Sequence, residues 1–255
     1  MPELSTILVL TGAAFIAGFV DAVVGGGGLI QIPIGLVMLP QYPVATVIGT
    51  TKLPSFTGTC FAAYKYSRHV PLNFRHLAIM ASIALPMAFL GSRMLTLVHN
   101  EFMRPFLLVV LTLVAAYTYT KKNFGEHSEK DHTEREHIIY ASLTSFVIGF
   151  YDGFIGPGTG SFLILAFITL LGYDFMKASA TAKFINLATN TGSIILFALS
   201  GNIIYEIAVP MMAANGLGGF LGARMAILRG NKFIRAFFLC VVMATIIRFA
   251  WDVFK

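Results

Sequence analysis

Two lysines inside apolar segments, Lys52 and Lys183, are the residues of this 255-residue chain that most demand a chemical explanation. Each lies near the middle of a long apolar stretch, where a lysine costs roughly 2.5 to 3.5 kcal/mol on membrane-insertion scales. Some other group has to compensate that charge. Either the two ammonium groups face a shared cavity and attract an anionic substrate, or they pair permanently with Asp21 and Asp152 as buried braces.

The two lysines are equivalent positions of an internal repeat. A constant spacing of 131 residues carries Lys52 onto Lys183 and Asp21 onto Asp152. The register holds without a gap over roughly ninety residues, which indicates a duplication. The same spacing carries Gly18, Gly25, Gly27, Gly91, Arg93 and Arg104 onto Gly149, Gly156, Gly158, Gly222, Arg224 and Arg235. Many transporters build a central site from duplicated halves in this way.

Each aspartate is followed by a glycine-rich break. Glycines permit a tight reversal and leave backbone N–H groups uncovered, and the helix that follows presents its positive N-terminal end to the turn. The breaks therefore predict two turns able to hold an anion, although glycines also serve close helix packing. The candidate residues are Gly25, Gly26, Gly27 and Gly28 in the first break and Gly156, Gly158 and Thr159 in the second.

Hydroxyl and amide side chains accompany the lysines, and they can complete the shell of an oxyanion or hold helices together. They are Thr50, Thr51, Thr181, Asn186 and Asn190, with Asn215 equally ambiguous. The first two asparagines lie three and seven residues after Lys183, on one helical face. For Asp21 and Asp152, capping of the glycine-rich turns is favoured over a role in proton coupling.

The composition predicts an all-α polytopic membrane protein. With 56% hydrophobic and 12% charged residues, the chain has more apolar surface than a soluble domain of this size can bury. Ten apolar segments are predicted at about 4–24, 28–40, 44–66, 72–97, 102–119, 138–155, 159–171, 176–199, 206–228 and 233–254. Most approach the ~20 residues that span a bilayer. The second segment of each half is too short, which predicts a half-helix or re-entrant segment.

The chain divides into a first transmembrane repeat (1–120), a hydrophilic linker (121–137) and a second repeat (138–255). If each half contributes an even pair of segments followed by three spans, twelve Lys and Arg fall on one face and four on the other. A parallel repeat would divide them nine to seven. The positive-inside rule therefore favours inverted repeats, with the linker cytoplasmic and both termini outside. Orientation in the membrane explains the net charge of +6, so nucleic-acid binding need not be invoked.

A membrane-embedded enzyme needs a nucleophile with its base, or a metal cluster, at membrane depth. The sequence contains few residues that could form either one. All six histidines lie at or beyond segment ends, and the trio His127, His132 and His137 belongs to the hydrophilic linker. Cys60 and Cys240 stand alone in apolar segments and predict neither a disulfide nor a metal site. No catalysis and no cofactor are expected, and no cleavable signal peptide is recognised at the N-terminus. A passive anion channel would use the same lysines and stays an alternative.

Three of these motifs also carry a family resemblance. They are Gly-Gly-Gly-Gly-Leu-Ile-Gln-Ile-Pro from Gly25 to Pro33, Gly-Thr-Thr-Lys from Gly49 to Lys52, and the second glycine-rich turn from Gly156 to Gly160. With this combination the chain resembles the sulfite exporter TauE/SafE family of bacterial membrane transporters over nearly its whole length. Pro157 and Thr159 interrupt what is often a purer glycine run in the family.

The resemblance implies a secondary transporter that moves sulfite, organosulfonates or other small sulfur-containing or carboxylate anions across the inner membrane. Export is the expected direction, and import of a related anion is the alternative. The expected partners are the lipid bilayer, the small anion and a proton as the candidate coupling ion. The family is usually described with seven or eight spans, so the inverted scheme rests on the charge distribution of this chain.

Overall fold

A computed structural model describes residues 3–103, 105–107, 109, 110, 113 and 133–253, with only the backbone at 231–236 and 238–253. All regular structure in these residues is helical, which confirms the prediction of an all-α protein for this part of the chain. The helices are α1 (Leu4–Val24), α2 (Gly28–Met38), α3 (Val44–Ser67), α4 (Phe74–Leu97), α5 (Glu134–Phe154), α6 (Thr159–Leu171), α7 (Phe175–Leu199) and α8 (Tyr205–Val253). The described residues between 100 and 113 are helical as well, so the described chain contains nine helices.

The prediction of ten separate segments is wrong at the C-terminal end. Segments nine and ten are consecutive parts of α8, which continues from Tyr205 to Val253 without an intervening loop. A helix of that length would measure about 74 Å, more than twice the hydrocarbon core of a bilayer. Gly230 interrupts it with the non-helical angles φ 67° and ψ −167°. The polar sequence Gly230-Asn231-Lys232 predicts a loop, but only Gly230 is non-helical there.

The remaining predicted boundaries agree with the helices to within a few residues, except at the linker. Helix α5 begins at Glu134, so residues 134–137, assigned to the linker, form its first turn. Thr133 and Glu136 form a reciprocal capping box there. Residues 121–132 of the linker, including His127 and His132, and most of the predicted segment 102–119 lie outside the described residues.

In the part of the chain that the structure describes, four helices are long and apolar enough to cross a membrane: α1, α4, α7 and the Tyr205–Gly230 part of α8. Helix α3 has a similar length of 24 residues but a more polar composition, because it contains Lys52 and several threonines. Helices α2 and α6 have only 11 and 13 residues. At the helical rise they reach about 16 and 20 Å, short of the ~30 Å of a hydrocarbon core. The two elements predicted to be half-helices are therefore the two shortest named helices.

Helices of one half pack against helices of the other half. Helix α1 packs along α8, and its repeat equivalent α5 packs along α4. The contacts match residue for residue, since a Cβ on Gly222 would lie 2.4 Å from the carbonyl oxygen of Phe19 and one on Gly91 would lie 2.2 Å from that of Phe150. The largest cluster of buried apolar residues also draws on both halves. Among the described residues, this core is therefore shared between the two halves.

The start of helix α3 lies beside the end of its repeat equivalent α7. Gly49, near the start of α3, contacts Phe197 near the end of α7. Thr46, one turn earlier, donates a hydrogen bond of 2.8 Å to Asn202, which follows α7. Helices α3 and α7 are therefore antiparallel, and the 131-residue shift relates them with their directions reversed.

Candidate functional site

The two glycine-rich breaks touch each other. Ser161 donates from its backbone N to the carbonyl of Gly25 at 3.1 Å and from its hydroxyl to the carbonyl of Val24 at 2.9 Å. A Cβ on Gly25 would lie 2.3 Å from the carbonyl carbon of Gly160, and a Cβ on Gly160 would lie 2.5 Å from the Cα of Gly25. Only glycine permits such an approach of two backbones. Breaks that are 131 residues apart thus form a single turn junction, defined here as residues 24–28 and 156–161.

The backbone conformation of the glycines places the N-termini of both short helices at this junction. Gly25 ends α1 at φ 76°, while Gly156 and Gly158 have φ 89° and 80°, all in the left-handed region. Helix α2 then begins at Gly28 and α6 at Thr159. The first amides of a helix lack intrahelical partners and carry its positive end. Two positive helix ends therefore converge on the turn junction.

The buried lysines form crossed ion pairs. Lys52 Nζ lies 3.0 Å from Asp152 Oδ2 and donates to the main-chain oxygen of Asp152 at 2.8 Å. Lys183 Nζ lies 2.7 Å from Asp21 Oδ2 and also donates to the main-chain oxygen of Asp21. Each lysine therefore holds the aspartate of the other half, as the interpretation of these pairs as braces predicted.

A cavity of about 40 Å³ lies at the turn junction. This is roughly three times the smallest space that holds one water molecule, so the cavity has room for a few waters or a small ion. It is called the junction cavity below. The predicted residues that line it are Asp21, Gly25, Gly28, Thr51, Lys52, Asp152, Gly156, Gly158, Thr159, Asn186 and Asn190.

The other predicted residues are not among those that line the junction cavity: Gly26, Gly27, Thr50, Thr181 and Lys183. The Thr50 hydroxyl donates to Thr46 O at 2.7 Å and accepts from Ile204 N at 3.0 Å. It therefore joins α3 to the residue before α8. The Thr181 hydroxyl bonds back to Lys177 O within its own helix, and the Lys183 side chain is 0% exposed.

Five lining residues were not predicted: Gln31, Ile32, Ser55, Thr59 and Gly160. Ser55 and Thr59 are the positions 131 residues before Asn186 and Asn190, so applying the repeat spacing to the asparagines would have identified them. Gln31 donates to Thr51 O at 3.1 Å and accepts from Asn215 Nδ2 at 3.0 Å. Hydroxyls from α3 and amides from α7 thus occupy equivalent positions of the cavity lining.

The two lysines differ in their access to the cavity. Lys52 lines it, and a Cβ on Gly156 would lie 3.7 Å from Lys52 Nζ, so this ammonium is next to the second turn. The lysine and aspartate charges cancel in number, and the helix ends, backbone amides and asparagine amides add positive potential. Within the described residues, no group of three or more His, Cys, Asp or Glu could hold a metal ion. The arrangement is suited to a small anion.

The chain is similar to a family of membrane transporters. A family model described as sulfite exporter TauE/SafE matches residues 10–249. A probable membrane transporter protein of Haemophilus influenzae is 37% identical over 240 residues, which cover 91% of this chain and 89% of that protein. The probable membrane transporter protein ORF9 of Sinorhizobium sp. is 34% identical over 240 residues, 94% of this chain and 90% of its own. The probable membrane transporter protein YfcA of Escherichia coli K12 is 31% identical over 234 residues, 91% and 85% of the two chains. No solved structure matches the chain.

Proposed function

Since the chain belongs to the sulfite exporter TauE/SafE family of membrane transporters, we propose that it is a secondary transporter that exports sulfite or an organosulfonate across the bacterial inner membrane. The observation that carries this proposal is the junction cavity, where the Lys52 ammonium, two helix N-termini and two asparagine amides meet. These groups attract negative charge. The chain is a multi-pass membrane protein, and the cavity lies where its two halves touch.

The chemistry of the lining matches a small oxyanion. Sulfite and sulfonates present three acceptor oxygens, which need several donors converging from different directions. Lys52 and the positive N-terminal ends of α2 and α6 come from both halves, and the amides of Asn186 and Asn190 lie on α7. A volume of about 40 Å³ supports a small anion rather than a bulky one.

We further propose that the two halves are inverted repeats and rock against each other to expose the site alternately on the two sides of the membrane. The antiparallel course of α3 and α7 supports inversion. The end of α3 and the starts of α4 and α7 carry basic residues, which supports a cytoplasmic location for these helix ends. There Lys65 lies 4.3 Å from the Phe220 ring, Arg75 lies 3.5 Å from Glu134, and Lys177 begins α7. This orientation leaves the N-terminus outside.

The test is flux of radiolabelled sulfite and methanesulfonate in proteoliposomes, comparing the native chain with Lys52→Ala. Arg75→Ala is the control, because its ion pair with Glu134 is exposed and contributes little. We expect saturable flux and counter-flow in the native chain and in the control, and loss of both in Lys52→Ala. Flux without saturation or counter-flow would favour a channel. Absence of native flux with both anions would overturn the proposal.

A further inference from the structure

The junction cavity is electrically balanced before any anion enters. Lys52 and Lys183 supply two positive charges, and Asp152 and Asp21 supply two negative ones at contact distance. A monovalent anion that joined these four groups would leave a net charge inside a poorly solvated site, where an uncompensated charge is costly. Binding of an anion at this place therefore requires either the departure of a carboxylate or the arrival of a positive charge.

The two ion pairs are not equivalent in this respect. Lys183 is completely buried, bonds both the side chain and the main chain of Asp21, and is not among the residues that line the cavity. Lys52 and Asp152 both line it. Of the Lys183 pair only the aspartate, Asp21, lines the cavity, whereas both partners of the Lys52 pair do, so Lys52 is the lysine that can take a ligand of the cavity as its counterion.

The carboxylate of Asp152 is held by its ion pair with Lys52 and not by a directed hydrogen bond to Oδ2. Its Oδ2 is buried and receives no hydrogen bond from the described residues, although Lys52 Nζ lies 3.0 Å away. The directed hydrogen bond of Lys52 goes instead to the main-chain oxygen of Asp152, at 2.8 Å. Loss of the carboxylate charge would consequently leave the lysine anchored at its present position.

We propose that Lys52 and Asp152 form the exchangeable pair of the site, and that Asp152 takes up one proton with each monovalent anion that binds. A proton from water adds to a carboxylate oxygen of Asp152, Lys52 keeps its charge, and the anion replaces the carboxylate as its counterion. One positive and one negative charge enter together, so the balance of the site is preserved. Lys183 and Asp21 stay paired as a brace. This inference rests on the proposed function and adds the coupling ion and its residue.

The surroundings of Asp152 fit a proton-carrying form. Asn186 Oδ1 is buried at the cavity and has no hydrogen-bond donor among the described residues. An amide oxygen of this kind can accept a hydrogen bond from a hydroxyl group that forms in the cavity. The other charged groups of the site are Lys52 from α3, Lys183 from α7 and Asp21 from α1, while the neighbouring Tyr151 hydroxyl is engaged with Pro157 O.

The test is isothermal titration of the purified full-length chain with methanesulfonate and with sulfite, in two buffers that differ in ionisation enthalpy. The difference in heat gives the number of protons taken up on binding. Methanesulfonate is informative because it does not titrate near neutral pH, so any proton must come to the protein. We expect uptake approaching one proton per anion in the native chain.

Three variants separate the roles. Asp152→Asn mimics the protonated carboxyl, so it should bind the anion without proton uptake. Asp152→Glu keeps a titratable group and should retain uptake. The control Glu134→Gln removes an exposed carboxylate that does not line the junction cavity, and it should also retain uptake.

Each result has a definite meaning. Anion binding by the native chain without proton uptake would overturn this inference and leave the proposed function standing. Unchanged uptake in Asp152→Asn, or loss of uptake in Glu134→Gln, would overturn the assignment to Asp152. No binding of either anion to the native chain would instead count against the proposed function itself.

Discussion

Gly25 and Gly160 touch backbone to backbone, although they come from opposite halves of the chain. Neither position has room for a methyl group, because an added Cβ would lie 2.3 to 2.5 Å from main-chain carbon of the other residue. The contact holds together the two turns that line the junction cavity. Substitutions at these two glycines therefore test how strongly the contact between the turns stabilises the site.

Gly160→Ala should destabilise the protein. The added methyl group meets the rigid backbone of Gly25, and overpacking of this kind typically costs about 1 to 3 kcal/mol. Thermal unfolding in detergent should show a lower midpoint. Gly12→Ala is the control, since a Cβ there has nothing within 4 Å. Equal stability of the two variants would contradict the close contact of the turns.

Lys183→Met should destabilise the protein. Removing one partner of a buried ion pair costs about 3 to 5 kcal/mol, and Lys183 is the more deeply enclosed lysine. The lower end of that range applies, because the Asp21 side chain is 20% exposed. Adding Asp21→Asn to Lys183→Met should recover most of the loss. A denaturation series on the single and double variants measures the coupling, and no recovery would argue against the brace.

Thr50→Val should destabilise the chain without changing the KM for the anion. The substitution leaves the buried N–H of Ile204 without its acceptor, at a cost of about 1 to 3 kcal/mol. The repeat-equivalent Thr181→Val is the matched control, because that hydroxyl bonds only within its own helix. A raised KM in Thr50→Val at unchanged stability would indicate that this hydroxyl reaches the substrate.

Asn186→Ala should weaken anion binding. Loss of a hydrogen bond to a charged ligand is worth about 1.5 to 3 kcal/mol, which corresponds to roughly a tenfold or greater rise in KM. Ser193→Ala is the control on the same helix, since its buried hydroxyl has no partner among the described residues and does not line the cavity. Flux measured against anion concentration distinguishes the two variants, and an equal KM in both would remove Asn186 from the site.

Single cysteines test the proposed orientation. In a background without Cys60 and Cys240, Ser5→Cys should react with a membrane-impermeant maleimide from outside the cell. Arg68→Cys should react only from the cytoplasm. Both positions are exposed. Ser5 lies at the start of α1, and Arg68 follows the end of α3. The reverse pattern of labelling would invert the topology.

Much of the fold follows from local sequence. Helix α6 begins and ends where the apolar run from Thr159 to Leu171 does, because glycines with left-handed backbone flank it at Gly158 and Gly172. The sequence predicted a break between 228 and 233 but not its form, since the chain makes it with one left-handed residue, Gly230, and no loop.

The site was only partly predictable for a different reason. Lys52 and Lys183 have the same place in the repeat, so no sequence pattern separates the lysine at the cavity from the enclosed one. The difference arises from side-chain directions in the assembled protein. Ser55 and Thr59, in contrast, were recoverable from the repeat spacing alone.

The crossing of the ion pairs imposes an order of events on biosynthesis. Asp21 is already in the membrane when Lys183 leaves the ribosome 162 residues later. The counterion of Lys183 is therefore present when that lysine is inserted. Lys52 emerges 100 residues before Asp152. At translation rates of about 5 to 20 residues per second, it spends about 5 to 20 s without its partner. During that interval α3, the most polar of the long helices in the first half, has to remain at the translocon or near water until α5 is inserted.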